Sequence, residues 1–115
     1  EQYVNPIFLL TLALGRDAEL AGSICVVYDI PLLVETAEWR QRVDRVLVVD
    51  CADAVQINRV MQRSQLSRDA VRSIIAVQAT RLRRLCCADY VIDNTDLSLL
   101  QLSDEVADLA SSFGL

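Results

Sequence analysis

Three short and almost uninterrupted apolar runs constrain the fold of this chain more than any other feature. The segments SICVVYDIP, RVLVVD and DYVIDN predict strands at about residues 24–30, 45–50 and 89–94. A strand that is apolar on both sides needs cover on both faces, which is typical of parallel sheets in α/β proteins. Because the segments between these runs have helical spacing, the sequence predicts a parallel sheet between helices.

The remaining segments place their apolar residues at helical intervals. Four helices are predicted, at about residues 6–14, 53–63, 67–86 and 99–112. We expect Ser67 to cap the third helix with its side-chain hydroxyl. The first segment also fits a strand, so its assignment stays open at this point.

Cysteine usage and hydropathy limit the class of protein. The four cysteines have no C-x-x-C spacing, and the chain has no histidine, so the usual zinc sites are not expected. Small reduced cysteines are typical of a cytoplasmic protein. The longest apolar run, PIFLLTLAL, has about half of the ~20 residues that a bilayer requires, and it lacks a basic flank. Neither a membrane span nor a secretory signal is predicted.

The basic residues are concentrated in one part of a chain whose net charge is −5. All eleven are arginines, and seven lie close together: Arg59, Arg63, Arg68, Arg72, Arg81, Arg83 and Arg84. The acidic composition argues against general nucleic-acid binding, whereas a guanidinium cluster suits a small phosphate-bearing anion. A solvated helical face is the alternative, and the charges alone slightly favour it. Like charges one turn apart, such as Arg59 and Arg63, destabilise an isolated helix by roughly 0.2–0.5 kcal/mol, which a bound anion would offset.

Several motifs together resemble one enzyme family. The segments DIPLLVE (29–35), VDRVLVVDC (43–51), QINRVMQR (56–63), IIAVQATRLRRL (74–85) and ADYVIDN (88–94) resemble, in order and spacing, those of dephospho-coenzyme A kinases. The opening EQYVNP resembles that family's L-E-x-I-x-H-P segment, with Asn5 in place of the histidine. The resemblance therefore covers essentially the whole chain.

The resemblance implies a partial P-loop NTPase fold of the nucleoside-monophosphate-kinase type. This is an α/β/α sandwich with a parallel sheet and a helical lid, here at about residues 57–79, in one partial domain over 1–115. The implied reaction transfers the γ-phosphoryl group of ATP, with Mg²⁺, to the 3′-hydroxyl of dephospho-coenzyme A, the last step of coenzyme A synthesis. The implied partners are these two substrates, without nucleic acid or membrane.

The resemblance also implies roles for individual residues. ATP binding is implied for Arg59, Arg63 and Asn94, and a lid or phosphate role for Arg81 and Arg84. A substrate-side position is implied for Pro31, Leu32, Glu35 and Asp29. For Glu35 and Asp29, helix capping or a turn is an equal alternative. No catalytic residue and no metal ligand are expected in this chain. Asp96 stands where the family often has glycine, which brings adenine binding into question.

The most consequential departure is the lack of a phosphate-binding loop. The 115 residues contain no G-x-x-x-x-G-K-[ST] motif and no lysine. We therefore expect the chain to be the carboxy-terminal part of such a kinase, with the amino-terminal strands missing, and to be inactive alone. A non-catalytic regulatory or partner-binding protein derived from this scaffold is the alternative.

The sheet order of such kinases, 2-3-1-4-5, adds an expectation about strand pairing. This sequence has candidates for strands 3, 4 and 5, but none for strand 1, which lies between strands 3 and 4. Unpaired buried backbone groups are costly. We therefore expect strands 24–30 and 45–50 to pair directly, or the sheet edge to be completed by self-association or by the missing half. Otherwise this region should be poorly ordered.

Overall fold

A computed structural model describes residues 6–30, 33 and 37–115 of the chain. Its elements follow one another as α1 (Pro6–Leu20), α2 (Ala37–Arg42), β1 (Leu47–Asp50), α3 (Asp53–Ser64), α4 (Arg68–Ala76), α5 (Arg81–Cys86), β2 (Tyr90–Asp93) and α6 (Leu99–Ser112). The chain divides into two compact units. The first contains α1, the segment up to Ile30 and the residues from Leu109 onward, and the second contains α2 through Asp108.

Strands β1 and β2 form a parallel pair in the second unit. The register runs from Leu47 opposite Tyr90 to Asp50 opposite Asp93. At the amino-terminal end of the pair, the Val46 amide donates to Asp89 Oδ2 over 2.8 Å, and the Asp89 amide donates to the Val46 carbonyl over 2.8 Å. The strands predicted at 45–50 and 89–94 are therefore confirmed, as is their parallel α/β arrangement.

The strand predicted at residues 24–30 is wrong. These residues have no regular secondary structure, and the described part of the chain has a sheet of two strands, β1 and β2. Direct pairing of 24–30 with 45–50, one of the alternatives expected above, is therefore not observed among the described residues. An apolar run becomes a strand only beside a hydrogen-bonding neighbour, which no described residue supplies here. Ile24 and Val27 are each 85% exposed.

The helix predicted over residues 67–86 is two helices, α4 and α5. The Ser67 cap is confirmed, because its hydroxyl accepts a hydrogen bond from the Ala70 amide. The break comes at Thr80, whose ψ of 156° is extended and whose hydroxyl accepts a hydrogen bond from the Arg83 amide. This second N-cap competes with continuation of α4 and starts a new helix. Leu82 on α5 is 72% exposed, although the apolar spacing of a single helix over 67–86 would place it with the core residues.

The other predicted helices are observed, and one was missed. The segments predicted at 53–63 and 99–112 are α3 and α6, and the first segment, left open above, is the helix α1. The short helix α2 was not predicted. Within the described ranges, no helix is both long and apolar enough to cross a bilayer.

Helices α3 and α4 form a helical hairpin in the second unit. They join at Gln65, whose φ of 52° is left-handed and ends α3. Val71, on the inner side of α4, is fully buried at 0% exposure. The buried apolar residues among those described are Trp39, Val46, Val71, Ala79 and Ile92. All belong to the second unit, whose core therefore positions the sheet and the hairpin.

The first unit contains two glycines with defined roles. In the turn after α1, Gly22 has a φ of 93°, which suits a residue without a Cβ atom. The other is Gly15, whose Cα lies against the ring of Tyr28, and a Cβ atom at this position would overlap the ring.

The burial of Val71 leads to a stability prediction. Val71→Ala should lower the free energy of unfolding by about 2 kcal/mol, because it removes buried methyl groups and leaves a cavity. The matched control is Val77→Ala, the same chemical change at a side chain that is 84% exposed, and it should change stability little. Urea denaturation followed by circular dichroism measures both. Equal effects at the two positions would contradict the burial of Val71.

Candidate functional site

The two strands end side by side and bring the loops that follow them together. Since the pair is parallel, Asp50 at the end of β1 lies opposite Asp93 at the end of β2. The Asn94 amide extends the pairing by donating to the Asp50 carbonyl over 2.7 Å. We call these strand ends and the residues that follow them, 50–52 and 93–95, the carboxyl edge. Open parallel α/β sheets bind ligands at this edge, which makes it the candidate site.

An ion pair joins the carboxyl edge to helix α5. Arg81 donates from Nε to both carboxylate oxygens of Asp50 at 3.0 Å and from Nη2 to Oδ2 at 2.7 Å. The Asp50 side chain is 7% exposed, whereas that of Arg81 is 41% exposed. The pKa of Arg81 is raised above its ordinary value, first by the hydrogen bond to Asp50 and then by the charge of that carboxylate. The guanidinium group of Arg81 is therefore charged at neutral pH.

Local capping explains why Arg81 lies at this edge. Thr80 starts α5 with its side-chain cap, so Arg81 is the first helical residue. Helix α5 packs against β1, which brings the base of the arginine side chain close to the strand end. If α4 continued without a break, Arg81 would lie inside a longer helix and would not be the first residue of α5. The break that the sequence did not predict therefore positions a charged residue of the site.

Thr95 connects the two loops of the carboxyl edge. Its amide and its hydroxyl both donate to Asp93 Oδ1, at 3.0 Å and 2.7 Å. The same hydroxyl accepts a hydrogen bond of 2.9 Å from the Ala52 amide. The pKa of Asp93 is lowered from its ordinary value of 3.8, first by the Thr95 hydroxyl and then by the Thr95 amide. Burial opposes this shift, and the charge of Arg81 adds to it.

Arg59 extends from helix α3 to the carboxyl edge. Its Nη2 atom donates to the Thr95 carbonyl over 3.1 Å. The residue is exposed and lies on the polar face of α3, as its spacing predicts. Since Thr95 directly follows Asn94, two of the residues for which the resemblance implies ATP binding lie at the same edge. Arg81 is the second arginine there.

The other arginines singled out from the sequence differ in their surroundings. Arg84 donates from Nη1 to the Ala79 carbonyl over 3.0 Å, so it supports the break between α4 and α5. Arg63 is exposed on α3 and has no hydrogen-bond or ion-pair partner among the described residues. Its side chain is therefore available to a ligand or to solvent.

The predicted substrate-side residues fall largely outside the part of the chain that can be assessed. Pro31, Leu32 and Glu35 lie outside the described residues. Asp29 is an exposed residue of the first unit. Their predicted roles therefore stay predictions.

Asp50, Asp93 and Thr95 are the site residues that the sequence reasoning missed. An available signal was the acidic residue at the end of the apolar strand RVLVVD, because strand ends in parallel sheets point toward ligand sites. The role of Thr95 depends on contacts with Ala52, 43 positions away, and sequence spacing does not reveal such contacts.

The carboxylates at the edge are engaged by protein groups. Arg81 holds Asp50, and Thr95 holds Asp93. Among the described residues, no group of three or more acidic or cysteine side chains is arranged to hold a metal ion. These residues therefore do not fit a metal ion caged by protein ligands. Mg²⁺ in phosphoryl-transfer sites is carried largely by substrate phosphates and water.

Comparison with known proteins gives a consistent result. The family model described as dephospho-CoA kinase matches residues 10–99. The chain is 55% identical over 94 residues to the dephospho-CoA kinase of Albidiferax ferrireducens, which covers 82% of this chain and 44% of that protein. It is 51% identical over 94 residues to that of Burkholderia thailandensis, covering 82% and 46%. It is 49% identical over 86 residues to that of Bordetella pertussis, covering 75% and 40%. The chain thus spans less than half the length of these relatives.

The contacts of Thr95 lead to a pKa prediction. Thr95→Val removes the hydroxyl that donates to Asp93, so the pKa of Asp93 should rise toward 3.8, while the remaining amide bond keeps part of the shift. A carboxyl group with a lowered folded-state pKa stabilises the fold above its unfolded-state pKa, and this contribution is lost as the pH falls through the folded-state value. The variant should therefore lose part of that stabilisation at neutral pH.

The measurement is an NMR titration of the Asp93 side-chain carbon between about pH 2 and 6, a range that spans the ordinary carboxyl values. Thr95→Ser is the matched control, because it keeps the hydroxyl and should keep the lowered pKa. A rise of the same size in both variants would show that the hydroxyl is not the cause.

Proposed function

Because the chain belongs to the dephospho-CoA kinase family of coenzyme A biosynthesis, we propose that its carboxyl edge contributes to the binding of ATP in the phosphorylation of dephospho-CoA. The reaction proposed is transfer of the γ-phosphoryl group to the 3′-hydroxyl of the substrate. The chain supplies the lid and the adenine side of the site. Residues beyond these 115 would supply the phosphate-binding loop.

The contact between Arg59 and Thr95 is the observation that carries the proposal. It holds a cationic side chain of the helical hairpin against the loop that begins with Asn94. A guanidinium group has five N–H donors, and this contact uses only Nη2. The others stay available to phosphate oxygens, which arginine binds in pairs. Asn94 would lie beside the adenine, and Arg59 would bind the phosphates of the same nucleotide.

The α3–α4 hairpin fits the proposed lid over about residues 57–79. It carries Arg59 and Arg63 on α3, and Arg63 has no partner among the described residues. In phosphoryl transfer the protein mainly positions the reactants and neutralises the charge that spreads over phosphate oxygens. Arginines on a closing hairpin do both and exclude water.

The residues of this chain are proposed to bind and orient the two substrates, and none is proposed to exchange a proton with them. Mg²⁺ bound to the nucleotide would neutralise part of the phosphate charge. The chain contains no lysine, so it has no counterpart of the loop lysine that contacts phosphates in P-loop enzymes. We therefore propose that these 115 residues alone do not catalyse the phosphoryl transfer. We propose a lid or phosphate role for Arg84, as the resemblance implies. We also propose the substrate-side position for the residues that the resemblance places there: Pro31, Leu32, Glu35 and Asp29.

A phosphotransfer assay tests this division of roles. The chain alone should transfer no phosphate from ATP to dephospho-CoA. A fusion that adds the parts of the Albidiferax ferrireducens relative that this chain does not cover should be active. Activity of the chain alone would contradict its proposed incompleteness. A folded fusion that binds ATP without turnover would instead support a non-catalytic protein built on the kinase scaffold.

A substitution at Arg59 tests the residue on which the proposal depends. Arg59→Ala in the active fusion should lower kcat by about tenfold or more, as the loss of transition-state charge stabilisation typically does. Arg16→Ala is the matched control, because it removes the same charge from an exposed arginine of the first unit. An unchanged kcat in the Arg59 variant, with the control also unchanged, would remove Arg59 from the site.

A further inference from the structure

Asp50 is the one charged side chain that is buried among the described residues. Carboxylates are almost never buried unless a partner compensates their charge, and here the partner is Arg81. Residues 50 and 81 are separated by 31 positions, so the pair forms only when α5 is packed against β1. The resemblance described above implies no role for Asp50.

The hydrogen bonds of Arg81 are all on one side of its guanidinium group. Nε and Nη2 donate to Asp50, while Nη1 has no hydrogen-bond acceptor among the described residues. The side chain is 41% exposed, so the free side of the group is accessible from solvent. A planar fork that is fixed along one edge presents its other donors in a defined direction.

We propose that Asp50 is a positioning residue that fixes Arg81 so that its free Nη1 donors bind the phosphate tail of the nucleotide. The inference rests on the proposed function, because it concerns the same ATP site. Asp50 does not touch the nucleotide. It orients the group that does, and its charge makes the pair neutral, so the contribution is geometric rather than a general attraction for anions.

Pre-orientation has a physical benefit for binding. A free arginine side chain has many rotamers, and binding a phosphate would restrict them. The ion pair with Asp50 imposes this restriction before the ligand arrives. Asp53 and Asp93 also raise the pKa of Arg81 through their charges, so the guanidinium faces several carboxylates. Because the potential around Arg81 is neutral or negative, it attracts an anionic nucleotide poorly. The direction of the Nη1 donors therefore contributes more to phosphate binding than the local potential does.

The backbone of Asp50 belongs to the other side of the same site. Its carbonyl accepts the 2.7 Å hydrogen bond from the Asn94 amide. The side chain of Asp50 thus acts on the phosphate side through Arg81, and its backbone acts on the adenine side through Asn94. Since a side-chain substitution leaves the carbonyl in place, the two effects are separable by experiment.

The test compares ATP with adenosine on the 115-residue chain. Binding is measured by following the backbone amides in NMR titrations, which detect millimolar affinities. Asp50→Asn keeps the size of the side chain and removes its charge. It should weaken ATP and inorganic triphosphate about tenfold, the effect of losing one charged hydrogen bond, and leave the affinity for adenosine within about twofold.

A second variant keeps the test decisive if Asp50→Asn does not fold. Arg81→Lys retains a cation beside Asp50 but lacks the planar fork, so it should also weaken ATP about tenfold and leave adenosine unchanged. If both variants fold, the double variant should be no weaker than either single one, because the two residues act as one unit. Arg16→Lys, at an exposed position of the first unit, is the matched control and should have no effect.

The outcomes separate this inference from the proposed function. If neither the wild-type chain nor the fusion described above binds ATP or triphosphate, the proposed nucleotide site fails and the role of Asp50 fails with it. If only the fusion binds them, the same variants are compared in the fusion. If the wild type binds ATP and the folded variants bind it equally well, only the role of Asp50 is overturned. A parallel loss of ATP and adenosine binding would also overturn it, because the pair would then be a structural support without a phosphate contact.

Discussion

The parallel pairing of β1 with β2 is the interaction on which the second unit depends. It aligns two strands that are 43 residues apart in sequence, and the Asp89 side chain and the Asn94 amide extend it at either end. Every group of the carboxyl edge takes its place from this register. If the register shifted by one residue, every side chain of one strand would turn to the opposite face. Asp50 would then no longer lie beside Asp93.

The hydrogen bonds at the carboxyl edge link three separate parts of the chain. Asp50 joins β1 to α5 through Arg81, and Thr95 joins the loop after β2 to the loop before α3. Arg59 adds the helical hairpin to the same cluster through the Thr95 carbonyl. The α3–α4 hairpin, helix α5 and the sheet therefore meet at one edge, and movement of any one of them would change the groups presented there.

The sequence predicted the elements whose signals are local. The strands at 45–50 and 89–94 and the helices α3 and α6 follow from apolar spacing within each segment, and the structure has them within a few residues. The strand predicted at 24–30 failed because strand formation requires a neighbour, which local composition does not report. The long helix failed because Thr80 has the same capping chemistry as Ser67 but interrupts an apolar pattern that otherwise continues.

The same distinction holds for the site. The position of Arg59 on the polar face of α3 follows from the spacing of polar residues along the helix. Its contact with Thr95 joins residues 36 positions apart in sequence and depends on the fold. Asp50 escaped notice because an acidic residue that ends an apolar strand is usually attributed to the turn. The Asp50 side chain is buried only because α5 packs against β1, and the sequence does not report this packing. Sequence reasoning therefore identified the arginines that are proposed to face the ligand, and it missed the groups that hold them.

The exclusive use of arginine among the basic residues is consistent with this arrangement. Arg59 is anchored by one nitrogen to a carbonyl, and Arg81 is held along one edge by a carboxylate, yet each retains N–H donors. A lysine ammonium is a compact group on a flexible stem, and anchoring it leaves no fixed direction for its remaining donors. Only a planar group with several separated donors can be fixed by the protein on one side and still bind a ligand on the other. For the proposed nucleotide site, which would hold its cations in place before the ligand arrives, arginine is therefore favoured at both positions.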